Sequence, residues 1–315
     1  MAFCVLPSAF CFWPSALCFL CSMTIHQAEH QLCSSLEKIY DSVEARAITQ
    51  MAMEHLTGMR SSERRLQAST ALSSEKEQQW QAMQTALLEH QPIQYVTGKA
   101  WFYNMELMVN NAVLIPRPET EELVQWLLEE EQPERIQAGI LDIGTGSGCI
   151  PIALKKNWPA ANVFGLDVSA DALAIAQQNA STQQTPVQWL QASILEPAQW
   201  PAQVFDIIVS NPPYIPQQES EQLDKNVTDW EPHLALFVPD NNPLLFYNAI
   251  ADFAKTHLQP SGSLYFECHQ HYVKQVLKTL QEKGFTAEQK TDMFGNERMV
   301  KAKPSPPPLP TGRGA

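Results

Sequence analysis

The sequence predicts an α/β protein on a doubly wound, mixed seven-stranded sheet whose last strand is antiparallel, preceded by a small all-helical domain and a β-hairpin linker. Three observations carry this prediction. From Ile140 onward, short apolar runs alternate with amphipathic stretches, as strands and helices do when they take turns. The first of those runs breaks into a glycine-rich turn, Gly144-Thr-Gly-Ser-Gly148, before a helical stretch. From about Ile25 to His90 the apolar residues recur at helical spacing.

Taken in order, the first elements are helices. Leu32, Leu36, Ile39 and Tyr40 share one face, and Ala45, Ile48, Met51, Ala52 and Leu56 share another, with Gly58 placed to stop that helix. A third helix is expected from Ser74, as its N-cap, to Leu88. This domain, residues 23–90, shows no cluster of titratable groups and reads as a module for partner contact. Residues 91–116 change character. Ile93 to Val96, Trp101 to Tyr103 and Leu107 to Val109 read as short strands, with turns at Gly98 and Asn110-Asn111.

The segment Arg117-Pro-Glu-Thr-Glu121 opens an amphipathic helix through Leu127 and begins a domain spanning 117–303. Strands are expected at Ile140–Ile143, Val163–Leu166, Val187–Gln191, Phe205–Ser210, Ser263–Glu267, Phe285–Lys290 and Glu297–Lys301. Helices fill the gaps, at Ile150–Lys156, Ala170–Ala180, Leu244–His257 and Tyr272–Lys283. Only a short link around Asp292–Asn296 separates the last two strands, so they should pair antiparallel.

The ends differ from the middle. Residues 1–22 are apolar but contain Pro7 and Pro14, and no Lys or Arg precedes the apolar run as a secretory leader requires. A near-exact repeat, Pro7-Ser-Ala-Phe-Cys-Phe12 and Pro14-Ser-Ala-Leu-Cys-Phe19, suits translated repetitive DNA, so a mis-called start or a disordered leader is expected. The Pro- and Gly-rich stretch 304–315 is expected to be a disordered tail.

Composition narrows the function classes. A net charge of -13 argues against gripping nucleic acid over a broad surface, because phosphate contacts need clustered Lys and Arg. Four of the seven cysteines fall in the first 21 residues, and no CxxC pair stands beside a His cluster. Neither a metal site nor a disulfide framework is expected, and a cytoplasmic setting fits.

The glycine turn follows a buried strand, and glycine lets the backbone adopt positive φ and approach a ligand closely. A dinucleotide fingerprint requires GxGxxG or GxGxxA, whereas here Gly144, Gly146 and Gly148 alternate and Cys149 follows. Asp142 precedes the turn by two residues, where a carboxylate can attract the ammonium of a methionine moiety. Both details favour S-adenosyl-L-methionine over a nicotinamide cofactor. Asp167 ends the second strand about twenty residues past the glycines, where a carboxylate accepts from ribose hydroxyls. Its competing role is to cap the helix that opens near Ser169.

Ile207-Ile-Val-Ser-Asn211-Pro212-Pro213-Tyr214 places a polar motif just past the fourth strand. Each proline fixes φ and removes a donor, leaving a stiff rim rich in carbonyl acceptors. An NH2 group brings two donors, and the Asn211 side-chain oxygen and the Pro212 carbonyl can each accept one. Tyr214 can lie flat against a planar amide or base. Holding such a nitrogen in line with an activated methyl is catalysis by proximity and electrostatics, with no general base required. The bland alternative is a simple Asn-Pro turn, which leaves the motif's place beside the cofactor loop unexplained.

With these motifs the sequence resembles the PrmC/HemK protein-glutamine N5-methyltransferases, a class I methyltransferase family that modifies peptide-chain release factors. The resemblance covers roughly residues 24 to 302. It rests on Gln94-Tyr-Val-Thr-Gly98, Val113-Leu-Ile-Pro-Arg-Pro-Glu-Thr-Glu121, the glycine turn, Asn211–Tyr214 and Gly295-Asn-Glu-Arg298. It implies that Gly144, Thr145, Gly146, Ser147, Gly148 and Asp167 bind the cofactor. It also implies that Asn211, Pro212, Pro213 and Tyr214 hold the glutamine of a Gly-Gly-Gln loop. One departure stands out: where many members carry an Asp-Trp pair flanking the adenine, this chain has Ser193 and Ile194. Ile194 can still cover a purine face by apolar contact. Glu119 and Thr120 stand where helix-capping residues would.

The competing readings are an adenine-N6 methyltransferase using the same Asn-Pro-Pro-Tyr rim, a nicotinamide-dependent oxidoreductase and a catalytically silent cofactor-binding protein. The first needs a basic target-recognition region, the second a different glycine spacing, and the third leaves the reaction motif idle. A monomer free of membrane and of stable nucleic-acid binding is expected.

Overall fold

The computed structural model describes residues 22–131, 133 and 138–306, so the expectations for 1–21 and 307–315 lie outside the described residues. The chain divides into two compact units, one ending at Thr85 and one beginning at Ala86, slightly ahead of the boundary expected at residue 90.

The first unit holds α1 (Ile25–Leu36), α2 (Ser42–Thr57), α3 (Ser61–Leu66) and the start of α4 (Ser74–Leu88). Thr24 and Gln27 form a reciprocal capping box at the head of α1. The first helix ends at Leu36, short of the expected Ile39 and Tyr40, because Asp41 starts a new one. Its carboxylate accepts from the N–H groups of Val43 and Glu44 at 2.7 and 2.9 Å. Gly58 closes α2 in the left-handed conformation, as expected. Six-residue α3 was not anticipated, being too short for helical period to register. It carries a buried Arg64 whose guanidinium donates to the Met59 carbonyl at 2.8 Å and to Gln50. Ser73, not Ser74, caps α4, its hydroxyl accepting from the Lys76 N–H at 3.3 Å.

The second unit opens with α5 (Ile93–Thr97), where a strand was expected. Ile93 and Tyr95 fit a strand's period while Ile93 and Val96 fit a helix's, so the short run reads as either. Gly98 ends this helix with φ 72° instead of turning a hairpin. The hairpin itself is β1 (Lys99–Phe102) and β2 (Met105–Met108), reversed at Tyr103-Asn104. Both turn residues adopt positive φ, 47° and 60°, which matches the twist of a two-residue hairpin. Tyr103 therefore belongs to the turn and not to the strand.

There follow α6 (Pro118–Glu131), β3 (Gly139–Ile143), α7 (Cys149–Asn157), β4 (Asn162–Asp167), α8 (Ala170–Gln183), β5 (Gln188–Gln191) and β6 (Phe205–Ser210). A small parallel pair, β7 (Ile215–Pro216) and β8 (Phe237–Val238), brackets the short helices α9 (Lys225–Thr228) and α10 (His233–Leu236). The chain closes with α11 (Leu245–His257), β9 (Leu258–Glu267), α12 (Val273–Glu282), β10 (Phe285–Thr291) and β11 (Glu297–Pro304). Pro304, expected in the tail, is thus the last strand residue, opposite Phe285.

Seven strands form one sheet in the order β10-β11-β9-β6-β3-β4-β5. All neighbours from β9 to β5 run parallel, and β11 is antiparallel to both β9 and β10. The expected mixed, doubly wound sheet is the observed one.

The pleat sorts side chains between two apolar layers. Leu141, Ile143, Ile208, Leu264, Phe266 and Val300 face the layer that holds α11 and α12. Ile140, Ile207, Val209, Tyr265 and Met299 face the layer of α6 and α7, where Trp126 meets Tyr265 edge-on at 5.5 Å. This alternation decides where the polar residues at the strand ends point.

Candidate active site

A cleft of about 890 Å3, counting solvent at its mouth, opens where the parallel strands end. β3 lies between β4 and β6, and the connections leave these strands in opposite directions, so the cleft sits at the topological switch point. Strand ends supply Gly144 and Gly146, Asp167, Ser193 and Ile194, and Asn211 to Pro213. The loop at Ala112–Leu114, the start of α10 with Pro232, Leu234 and Ala235, and Ala172, Phe246 and Ile250 complete its walls.

All three glycines of the turn have positive φ, 76°, 51° and 78°, which explains their type and alternation. The Gly144 and Thr145 N–H groups donate to the Leu166 carbonyl at 2.8 and 3.0 Å, stitching the turn to β4. Asp167 braces it further. Its Oδ2 accepts from the Gly146 N–H and its Oδ1 from the Ser169 N–H, both at 2.9 Å. The cap of α8 is Ser169, whose hydroxyl accepts from the Ala172 N–H at 3.2 Å, so Asp167 edges the cleft and does not cap the helix. Burial pushes the Asp167 carboxyl up, against the lowering effect of those backbone donors.

Four of the positions expected at the cofactor lie outside the cleft lining: Asp142, Thr145, Ser147 and Gly148. Two of these placements have a clear reason. Asp142 is an even-numbered residue on β3, so the pleat aims it with Ile140 toward the α6 and α7 layer. Gly148 is a packing position, where a Cβ would meet Ala176 and the Trp189 ring at 3.0 Å. Asp142 is fully buried and does not itself line the cleft. Its two oxygens are fully buried without a well-aligned hydrogen-bond partner, as are the hydroxyls of Thr145 and Ser147. Burial pushes Asp142 up to about 7, the nearby Thr145 hydroxyl pulling the other way.

Ser193 and Ile194 line the cleft as expected. The Ser193 hydroxyl accepts from the Leu195 N–H at 3.3 Å, and the Ile194 carbonyl accepts from the Trp200 indole at 2.9 Å. Both residues are therefore fixed at the cleft edge.

Asn211, Pro212 and Pro213 line the cleft. Tyr214 is half-buried and lies outside that lining. Its hydroxyl donates to Glu267 Oε1 at 3.2 Å and its ring meets His269 edge-on at 5.8 Å.

Glu267 is the residue that sequence reasoning missed. It ends β9, is 1% exposed, and its pleat position matches Tyr265, which aims it at the first turn of α6. There Oε2 accepts from the Thr120 hydroxyl at 2.6 Å. The Thr120 oxygen in turn lies 3.1 Å from Asn211 Nδ2. Thr120 is thus not a helix cap; its hydroxyl reaches across to the sheet. Burial pushes the Glu267 carboxyl up, while the Thr120 hydroxyl and the Arg298 charge oppose that shift. A buried carboxylate at a strand's carboxyl end, in Leu-Tyr-Phe-Glu267, was the available signal.

Comparison with known proteins gives the family. A PrmC N-terminal domain model matches residues 27–98, and a methyltransferase small domain model matches residues 120–229. A release factor glutamine methyltransferase of Flavobacterium psychrophilum is 40% identical over 282 residues, covering 89% of this chain and 99% of that one. This chain belongs to the release factor glutamine methyltransferase family. A second member, from Bacteroides thetaiotaomicron, is 38% identical and covers 85% of this chain and 96% of its own. A third, from Lactococcus lactis, is 41% identical over 69% of this chain and 79% of that one. The methyltransferase match spans the glycine turn, Asp167 and Asn211–Tyr214, but stops short of Glu267 and Arg298. Among the described residues no helix is long and apolar enough to cross a membrane.

Proposed function

We propose that this chain transfers a methyl group from S-adenosyl-L-methionine to the side-chain amide nitrogen of the glutamine in the Gly-Gly-Gln loop of a peptide-chain release factor. The observation that carries the reading is the side-by-side arrangement, in one cleft, of the glycine turn with Asp167 and the Asn211–Pro213 rim.

The residues present fit the cofactor. The turn offers a cradle at Gly144 and Gly146 without side chains, Asp167 offers ribose hydroxyls an acceptor, and Ile194 offers an apolar wall for a purine. Beneath the turn the buried Asp142 carboxyl, when ionised, favours a cationic ligand above it. S-adenosyl-L-methionine supplies the methyl as an electrophile carried on a sulfonium.

The chain's own part is positional. An amide nitrogen is a weak nucleophile because its lone pair is delocalised. Asn211 and the Pro212 carbonyl accept from the two N–H bonds of the glutamine amide, which aims the remaining lone pair into the cleft. The prolines keep that rim stiff. The N-terminal helices supply a docking surface for a folded partner, and the net charge of -13 supports a protein over a nucleic acid as that partner. A cytoplasmic monomer without stable membrane or nucleic-acid binding goes with this reading.

The test offers purified enzyme and methyl-labelled cofactor with release factor, its Gln→Ala variant, or duplex and single-stranded nucleic acid. Label on the glutamine, located by mass spectrometry, is the expected result. Label on nucleic acid, or undiminished label on the Gln→Ala variant, overturns it.

A further inference from the structure

We propose that Glu267 and Thr120 form a one-way hydrogen-bond relay that fixes which end of the Asn211 amide faces the cleft. The inference rests on the reading of Asn211 as the residue that holds the acceptor amide, and it assigns Thr120 and Glu267 as positioning residues for it.

The polarity follows from counting protons. An ionised carboxylate can only accept. The Thr120 hydroxyl has one proton, and at 2.6 Å from Glu267 Oε2 that proton is committed to the carboxylate. The Thr120 oxygen is then left only as an acceptor. What approaches it from Asn211, at 3.1 Å, must be the NH2. Asn211 Oδ1 therefore points the other way, toward the cleft that Asn211 lines. With the amide reversed, an NH2 would confront the NH2 of the incoming glutamine, and two donors cannot satisfy each other.

Further contacts keep the relay in place. Glu267 Oε1 accepts from the Tyr214 hydroxyl at 3.2 Å, so both ends of the Asn211–Tyr214 motif converge on one carboxylate. The Tyr247 hydroxyl donates to the Glu267 backbone carbonyl at 3.3 Å. Arg298, near Glu267, is held by Asp292 at 3.1 Å and favours the charged carboxylate. The three relay residues come from α6, β9 and the end of β6, and the pleat turns Glu267 and Asn211 to the face that α6 covers.

The experiment uses Thr120→Val, which keeps the shape and removes the hydroxyl, Thr120→Ser, which keeps the hydroxyl, and Asn211→Ala. Two readouts are taken on the full chain. In methyl-transfer kinetics, Thr120→Val lowers kcat on the order of 10²-fold while KM and cofactor affinity stay within about twofold. Thr120→Ser restores kcat, and adding Thr120→Val to Asn211→Ala has no further effect. In NMR, the Asn211 side-chain NH2 protons, assigned by their loss in Asn211→Ala, are protected from exchange in wild type and in Thr120→Ser but not in Thr120→Val. If Asn211→Ala abolishes turnover while Thr120→Val alters neither kcat nor protection, the relay is wrong and the reading of Asn211 stands. If Asn211→Ala leaves turnover intact, or no methyl reaches the release factor, the functional reading fails. The NH2 protection then decides the relay independently.

Discussion

Arg117 and Glu231 are 114 positions apart in sequence and form an ion pair of 2.5 Å, with the Glu231 side chain almost wholly buried. The second oxygen of Glu231 accepts from the Ile115 N–H at 3.2 Å. The two partners flank the segments that wall the cleft, at Ala112–Leu114 on one side and Pro232 to Ala235 on the other. The pair therefore ties one wall to the other. Glu231→Ala leaves Arg117 and the Ile115 N–H without this acceptor and should destabilise the fold by about 1.5–3 kcal/mol. It should also weaken cofactor binding, because both walls loosen. Thermal melts with and without S-adenosylhomocysteine check both effects, and unchanged melting on both counts would detach this pair from the cleft.

Asn211→Ala should lower kcat by about 10²–10³-fold, equivalent to about 2.7–4 kcal/mol of lost transition-state stabilisation. Cofactor affinity should largely survive, since Asn211, though also expected beside the cofactor, is assigned to the acceptor nitrogen more than to the cofactor. Steady-state kinetics beside calorimetric titration of the cofactor separates the two quantities.

For Asp167→Ala the expected loss is in cofactor binding, about 1.5–3 kcal/mol for hydrogen bonds to a charged acceptor. Part of that loss comes from the glycine turn, which gives up the Gly146 N–H contact at 2.9 Å. Calorimetry showing wild-type affinity would leave Asp167 as a brace for the turn alone.

Asp142 makes stability depend on pH. Its folded-state value of about 7 lies above the ordinary 3.8, chiefly because burial penalises the charged form, with Asp167 nearby adding to the effect. The native state thus holds the proton more tightly than the unfolded chain. The contribution of Asp142 to stability is fully present below about pH 4, is lost as pH rises toward 7, and is flat beyond. Asp142→Asn removes this dependence. The variant's advantage over wild type should grow between about pH 4 and 7 and level off on the order of 4 kcal/mol. Denaturant unfolding at several pH values measures it, and a difference independent of pH would mean the carboxyl is not buried as described.

Much of this fold is written locally. The seven strands were legible because apolar runs with turn signals need no knowledge of their neighbours, and Gly144, Gly146 and Gly148 were legible because only glycine takes their positive φ freely. The losses were local too, where two readings compete. Ile93 to Val96 fits both periods, and a two-residue turn at Tyr103-Asn104 carries no glycine to mark it.

The sequence by itself determined the family, the sheet and the two motifs that meet in the cleft, because each motif is a continuous segment with its own backbone constraint. Tertiary structure alone decided what the polar side chains do. Thr120 reads as a cap until α6 is laid across the sheet and brings it to Glu267, 147 positions away. Tyr214 reads as a platform for the ligand, and only β6 beside β9 shows that its hydroxyl finds the same carboxylate. A hydrogen bond is satisfied by whichever partner the packing brings within about 3 Å, and strand order, not local pattern, chooses that partner.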